Sequence, residues 1–93
     1  MPTWSPEAIS DLEALRRYIE RNDPAAARRI ALHILRNVER LDRHPALGRP
    51  GRVPGTRELV VPDTPFVVPY RLAGNEVQVL RVYHTRRRWP ERL

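Results

Sequence analysis

His84 is the residue of this 93-residue chain best suited to move a proton at neutral pH. Tyr83 stands beside it, and Arg57 and Arg81 add two guanidiniums in the same half of the chain. RNA cleavage asks for such a set. One group takes the 2′-hydroxyl proton or protonates the 5′-oxygen leaving group, and cations stabilise the pentavalent phosphate. A histidine at the end of a strand also has a plain structural reading, in which it only packs. Just beyond it comes Arg86-Arg87-Arg88-Trp89. Three cations and an indole suit a phosphate backbone with a stacked base, an acidic protein surface anchored on Trp89, or a solvated tail.

The rest of the inventory narrows the chemistry. His33 sits beside the apolar stripe of a helix and reads as structural. His44-Pro45 reads as a helix stop. The three histidines lie too far apart to suggest a metal motif, and no metal is expected. No glycine-rich phosphate loop and no Ser/His/Asp pattern is present, so no cofactor is expected. The chain has no cysteine, which removes disulfides and thiolate chemistry and is compatible with a cytoplasmic location. No apolar run approaches the roughly 20 residues of a membrane span, and no signal-peptide pattern opens the chain, so no membrane partner is expected. The formal charge is +6, and all 17 basic residues are arginine. That balance attracts nucleic acid or an acidic protein.

The elements that position these residues follow from spacing. One small domain over residues 1–93 is expected, burying roughly 60–65% of the surface of its unfolded chain. Met1 to Trp4 is short enough to add an edge strand. Ser5-Pro6-Glu7 opens a helix with a hydroxyl cap, proline in the first turn and an early acid. Ala8, Ile9, Leu12, Leu15 and Ile19 give it one apolar face. Asp23-Pro24 repeats the signal, and Ala27, Ile30, Ala31, Ile34, Leu35, Val38 and Leu41 form a second stripe. The short connection makes the pair an antiparallel helical hairpin.

His44 to Gly55 holds three prolines and three glycines, which excludes regular structure. Leu47 and Val53 are its expected anchors in the core. Three strands follow, Thr56–Val61, Phe66–Leu72 and Glu76–Tyr83, joined by short turns into an antiparallel meander. Pro69 belongs at an edge or a bulge because it cannot donate to a ladder. Alternation puts Gln78, Leu80, Val82 and His84 on one face of the last strand, and Val77, Val79, Arg81 and Tyr83 on the other. Arg57, Arg71 and Arg81 gather on one surface only if the registers allow it. The fold expected is α+β: a helical hairpin packed on one face of a small antiparallel sheet, whose other face nothing obvious covers.

In this order the motifs His44-Pro45-Ala46-Leu47-Gly48-Arg49, Gly55-Thr56-Arg57-Glu58-Leu59-Val60-Val61 and Leu80-Arg81-Val82-Tyr83-His84, with Arg88-Trp89-Pro90, resemble the RelE/ParE superfamily of bacterial type II toxin–antitoxin toxins. The resemblance covers nearly the whole chain. It implies a short N-terminal strand, two helices and an antiparallel sheet. It also implies a cognate antitoxin, acidic in its toxin-binding segment, which suits the basic balance. RelE-like and YoeB-like members cut mRNA on the ribosome; ParE-like members poison DNA gyrase. Two features favour the ParE-like branch. The hairpin is long, about Ser5 to Asp42. The nuclease set is thin: there is no lysine, no acid between His44 and Gly55, and Pro65-Phe66 stands where an arginine would open the middle strand. Tyr83-His84 with Arg57 and Arg81 keep the nuclease alternative open.

Overall fold

The computed structural model describes residues 1–86. Its elements are β1 (Thr3–Trp4), α1 (Pro6–Glu20), α2 (Pro24–Glu39), a 3-10 turn (Arg40–Asp42), β2 (Arg49–Pro50), β3 (Arg57–Val60), β4 (Phe66–Ala73), β5 (Glu76–Val79) and β6 (Tyr83–His84). The sheet runs β1-β5-β4-β3-β2, with β6 also paired to β4. Every pairing is antiparallel except β1 with β5, so the expected N-terminal edge strand exists and makes the sheet mixed. The α+β architecture is as expected from the sequence.

Both helices start where the cap residues put them. Ser5 Oγ accepts the Ala8 N–H at 3.0 Å, Asp23 Oδ1 accepts the Ala26 N–H at 3.0 Å, and proline follows each cap. The apolar stripes face the sheet, except for Ile9 and Leu35, which are exposed. Ala8, Ile34, Val38 and Leu41 meet Leu59, Val61, Val68, Tyr70, Val77 and Val79 in one core, with Leu12, Leu15, Ile19 and Ile30 packed at its margin.

The third strand departs from expectation. β5 stops at Val79, and the chain re-enters the sheet only at Tyr83. Between the Tyr70–Val79 and Val67–Tyr83 pairs, β4 contributes two residues and the other side three. One residue too many makes a β-bulge. Its cause is Pro69. The Leu80 and Arg81 N–H groups both donate to the Pro69 carbonyl, at 2.9 and 3.5 Å, and proline has no N–H to return. The bulge inverts parity beyond it. Val82, not Arg81, joins Val77 and Val79 in the core, and His84 shares the helix side with Phe66 while Tyr83 turns to the far side with Val67.

The far side is not bare either: Val67 is 1% exposed and Tyr83 1% exposed. Glu58, also 1% exposed, lies there beneath the 44–55 loop, where Oε1 accepts from Arg49 at 3.2 Å and Oε2 accepts the Arg52 N–H at 2.8 Å.

The loop is not anchored by the expected side chains. Leu47 is exposed and Val53 only half-buried. Polar contacts hold it instead. The Tyr70 hydroxyl, at the end of the core, donates to the Pro45 carbonyl at 2.7 Å and accepts the Gly48 N–H at 2.8 Å. The backbone must come this close for both bonds to form. A Cβ on Gly48 would stand 2.6 Å from Tyr70 Cε1 and 2.9 Å from the Glu58 carbonyl. Gly48→Ala is therefore expected to destabilise the protein by about 1–3 kcal/mol, as overpacking does. Urea unfolding measures this, and an unchanged midpoint would contradict the loop's anchoring through Gly48.

Candidate functional site

The residues proposed to act together from sequence are held apart. Arg57 lies opposite Tyr70 and His84 opposite Phe66, on either side of β4. Four residues along a strand and two strand spacings across put their Cα atoms about 13 Å apart lengthwise and about 10 Å apart sideways. Arg57 points its Nη1 at the Gly48 carbonyl (2.7 Å) and the Ala46 carbonyl (3.4 Å), so its guanidinium braces the loop. Arg71, beyond Tyr70 on β4, turns to the opposite face and donates from Nε to Gln78 Oε1 at 2.8 Å. The three arginines do not form one surface.

Arg81 is bound most tightly. Its Nε donates to Asp11 Oδ2 at 2.8 Å and its Nη2 to Asp11 Oδ1 at 3.0 Å, a two-pronged, charge-assisted contact. The Asp11 hydrogen bond is the main reason its pKa is raised further. Its guanidinium carbon stands 4.9 Å from the centre of the Tyr83 ring. Asp11 Oδ2 also accepts the Val82 N–H at 3.0 Å. Asp11 was absent from the residues singled out by sequence. The signal was its position: three after Ala8 and four before Leu15, it places a carboxylate on the buried stripe of α1, where a charge needs a partner.

His84 is exposed, with its ring edge-on to Phe66 at 5.6 Å between centres. Its Nδ1 accepts the Arg86 N–H at 3.1 Å, which in the neutral ring leaves the proton on Nε2. The Nδ1 lone pair is thus occupied by the chain's own backbone. His84 lies at the mouth of an open groove of about 640 Å³ between α1, the start of α2 and the β4–β6 edge, lined by Leu15, Tyr18, Ile30, Phe66 and Val82. Arg86 is exposed beside it; Arg87, Arg88 and Trp89 lie outside the described residues. His33 Nε2 sits 2.7 Å from the Pro62 carbonyl, a tie between α2 and the β3–β4 turn. Among the described residues no group of three His, Asp or Glu side chains is placed to hold a metal ion. No described helix is long and apolar enough to cross a membrane.

This fold is that of a known family. Residues 3–89 match the model of the ParE toxin of the type II toxin–antitoxin system parDE, and the chain belongs to that family. Y4kP of Sinorhizobium fredii is 42% identical over 88 residues, covering 95% of this chain and 91% of the relative. The toxin RelE2 of Caulobacter vibrioides is 37% identical over 84 residues, covering 90% and 93%. A solved structure of the chromosomal ParDE toxin–antitoxin system from P. aeruginosa superposes with a TM-score of 0.82 at 31% identity, covering 90% of this chain and 96% of that one. The protein is thus a toxin of the RelE/ParE type, and its family implies an antitoxin partner.

Arg57 and Tyr70 together give a pH prediction. Burial raises the Tyr70 hydroxyl above its ordinary pKa of 10.0, opposed by the Gly48 N–H and the Arg57 charge. A raised pKa in the folded state means that its contribution is intact below pH 10 and fades as pH climbs through the folded value. Stability should fall above pH 10, and Tyr70→Phe should flatten that fall while lowering stability at pH 7 by about 1–3 kcal/mol through two orphaned loop groups. Unfolding midpoints between pH 7 and 11.5 (roughly one and a half units past an ordinary phenol) check this; parallel curves for the two proteins would refute it.

Proposed function

We propose that this toxin arrests growth by binding and poisoning DNA gyrase, and that it is not itself a nuclease. The observation that carries the reading is the prior engagement of both arginines and of the histidine Nδ1 that a nuclease would use. Arg81 is neutralised by Asp11, Arg57 is spent on two loop carbonyls, and the Nδ1 lone pair of His84 accepts a backbone N–H. Stabilising a pentavalent phosphate requires free cations converging on one point. Here the two arginines brace different parts of the scaffold, on opposite sides of β4. The match to the parDE toxin family supports a gyrase-directed role, as does the long hairpin, in which α1 and α2 hold 15 and 16 residues. A cytoplasmic site of action follows from that target.

The test is purified toxin, freed of antitoxin, in a gyrase supercoiling assay, with mRNA cleavage read after induction in cells. The expected outcome is loss of supercoiling at near-stoichiometric toxin, no cuts within codons, and full potency, within about twofold, in His84→Gln, since each decade of activity corresponds to only about 1.4 kcal/mol. Codon-positioned cleavage that vanishes in His84→Gln, with gyrase unaffected at excess toxin, would overturn the proposal in favour of the ribosome-dependent nuclease.

A further inference from the structure

The outward face of α2 carries a line of cations that neither the packing of the fold nor gyrase poisoning requires. Arg29, His33, Arg36, Arg40 and Arg43 follow one another at spacings of four, three, four and three. Residues so spaced are neighbours on one helix face. The closing 3-10 turn keeps them in line, because residues three apart eclipse there. At about 1.5 Å per helical residue the line is straight and roughly 20 Å long. All four arginines are exposed. Arg40 donates to Asn37 Oδ1 at 3.3 Å, while Arg29, Arg36 and Arg43 make no ion pair among the described residues.

The acids nearby decide where the surplus of charge lies. Asp63 shares a hollow with Arg29 and His33, and His33 Nε2 sits 2.7 Å from the Pro62 carbonyl, so that end is balanced. Glu20 lies with Arg16 and Arg28 on the side toward α1. At the other end Asp42 pairs with the N-terminal ammonium at 3.2 Å, and Glu58 pairs with Arg49. Over residues 36–43 that leaves Glu39 against Arg36, Arg40 and Arg43.

Three guanidiniums one turn apart on a rigid element match a ladder of like anions. Duplex DNA offers one phosphate per about 3.4 Å of axis on each strand, and a guanidinium fork suits phosphate oxygens. A protein partner would ask for an apolar centre, yet Leu32 lies toward α1, in the hollow with Arg16 and Glu20. A single strand would ask for rings to stack its bases, yet the exposed Tyr18 lines the groove of β6 instead.

We propose that the end of α2 and the turn after it hold the phosphate backbone of duplex DNA, without reading its sequence, through Arg36, Arg40 and Arg43. The inference does not rest on gyrase as the target. It gives the toxin a hold of its own on the DNA to which such a target is bound.

The test is fluorescence anisotropy of purified toxin titrated onto a labelled duplex of about 20 base pairs, with no gyrase present. Three phosphate contacts at about −0.9 each predict a log–log salt slope of about −2.7, so affinity should fall roughly 40-fold between about 50 and 200 mM salt. Duplexes of unrelated sequence should bind alike within about twofold. Arg36→Gln with Arg43→Gln removes two cations and no ion pair, and should bring the slope to about −0.9. Lysine at both positions should restore it. Arg71→Gln removes a cation from the face of the sheet away from the helices and should leave the slope within about 0.3 of wild type.

A wild-type slope in the Arg36→Gln, Arg43→Gln variant overturns the proposal. So does an equal change in Arg71→Gln, which would reduce the binding to net charge. Loss of the slope in Arg87→Gln with Arg88→Gln would move the contact to the chain's last residues. Tighter binding to a single strand or to duplex RNA would assign the line to RNA or to unpaired bases, and no binding at about 50 mM salt would leave it without a ligand; each of these also overturns the proposal. None of them bears on the gyrase assay, so the two readings fail separately.

Discussion

The clamp that the first two turns of α1 place on residues 79–82 is the contact on which the sheet's far end depends. Pro69 withholds a hydrogen bond from the strand beside it, and that strand bulges. A bulge leaves backbone groups without ladder partners, and a buried orphan costs about 1–3 kcal/mol. Here α1 supplies the partners. Ser5 N–H donates to the Val79 carbonyl at 2.9 Å, and Ser5 Oγ donates to the Leu80 carbonyl at 2.8 Å while capping its own helix. Asp11, two turns on, takes the Val82 N–H and the Arg81 fork. Helix and bulge complete each other's hydrogen bonding, so β6 is placed by α1 as much as by β4.

Function follows from that placement. With the bulge, Val82 closes the core and His84 faces the helices at the lip of an apolar groove; without it, Arg81 would be turned toward the core. Ion pairing also decides what the arginines are available to do. A surplus of cations on a small domain suggests a phosphate-binding surface, but individual arginines here have local duties. Arg81 neutralises a half-buried carboxylate, Arg57 closes the loop, and Arg49 satisfies the buried Glu58. What remains at the groove is an apolar surface with no arginine among its described lining residues, which does not suit a reacting phosphate.

Much of this was legible in the sequence, because the signals were local. Ser5-Pro6 and Asp23-Pro24 mark both helix starts, the stripes mark their buried faces apart from the exposed Ile9 and Leu35, and the glycines and prolines of 44–55 mark the loop but hide the short strand β2 that pairs with β3 inside it. The illegible parts are long-range. Pro69 announces a bulge but not which neighbour yields, and the parity of Tyr83 and His84 turns on that choice. The loop's anchors are polar contacts to Tyr70 and Glu58, 22 residues from Gly48 and nine from Arg49, so the apolar residues Leu47 and Val53 misled. Asp11 and Arg81 meet across 70 residues. A carboxylate on an apolar stripe predicts some partner, but only the fold names it. The spatial relation of Arg57, Arg81 and His84 was equally illegible, since residue types suggest a chemistry whatever their actual neighbours are.

Amide hydrogen exchange at Val82 tests the clamp most directly. In the wild-type protein this N–H, bound to the Asp11 carboxylate, should exchange as slowly as the amides shared by β4 and β5. In Asp11→Ala it should exchange at least about tenfold faster relative to those amides, a local loss of about 1.4 kcal/mol or more. Equal protection of Val82 in the two proteins would contradict the claim that α1 holds the bulge and, through it, the groove.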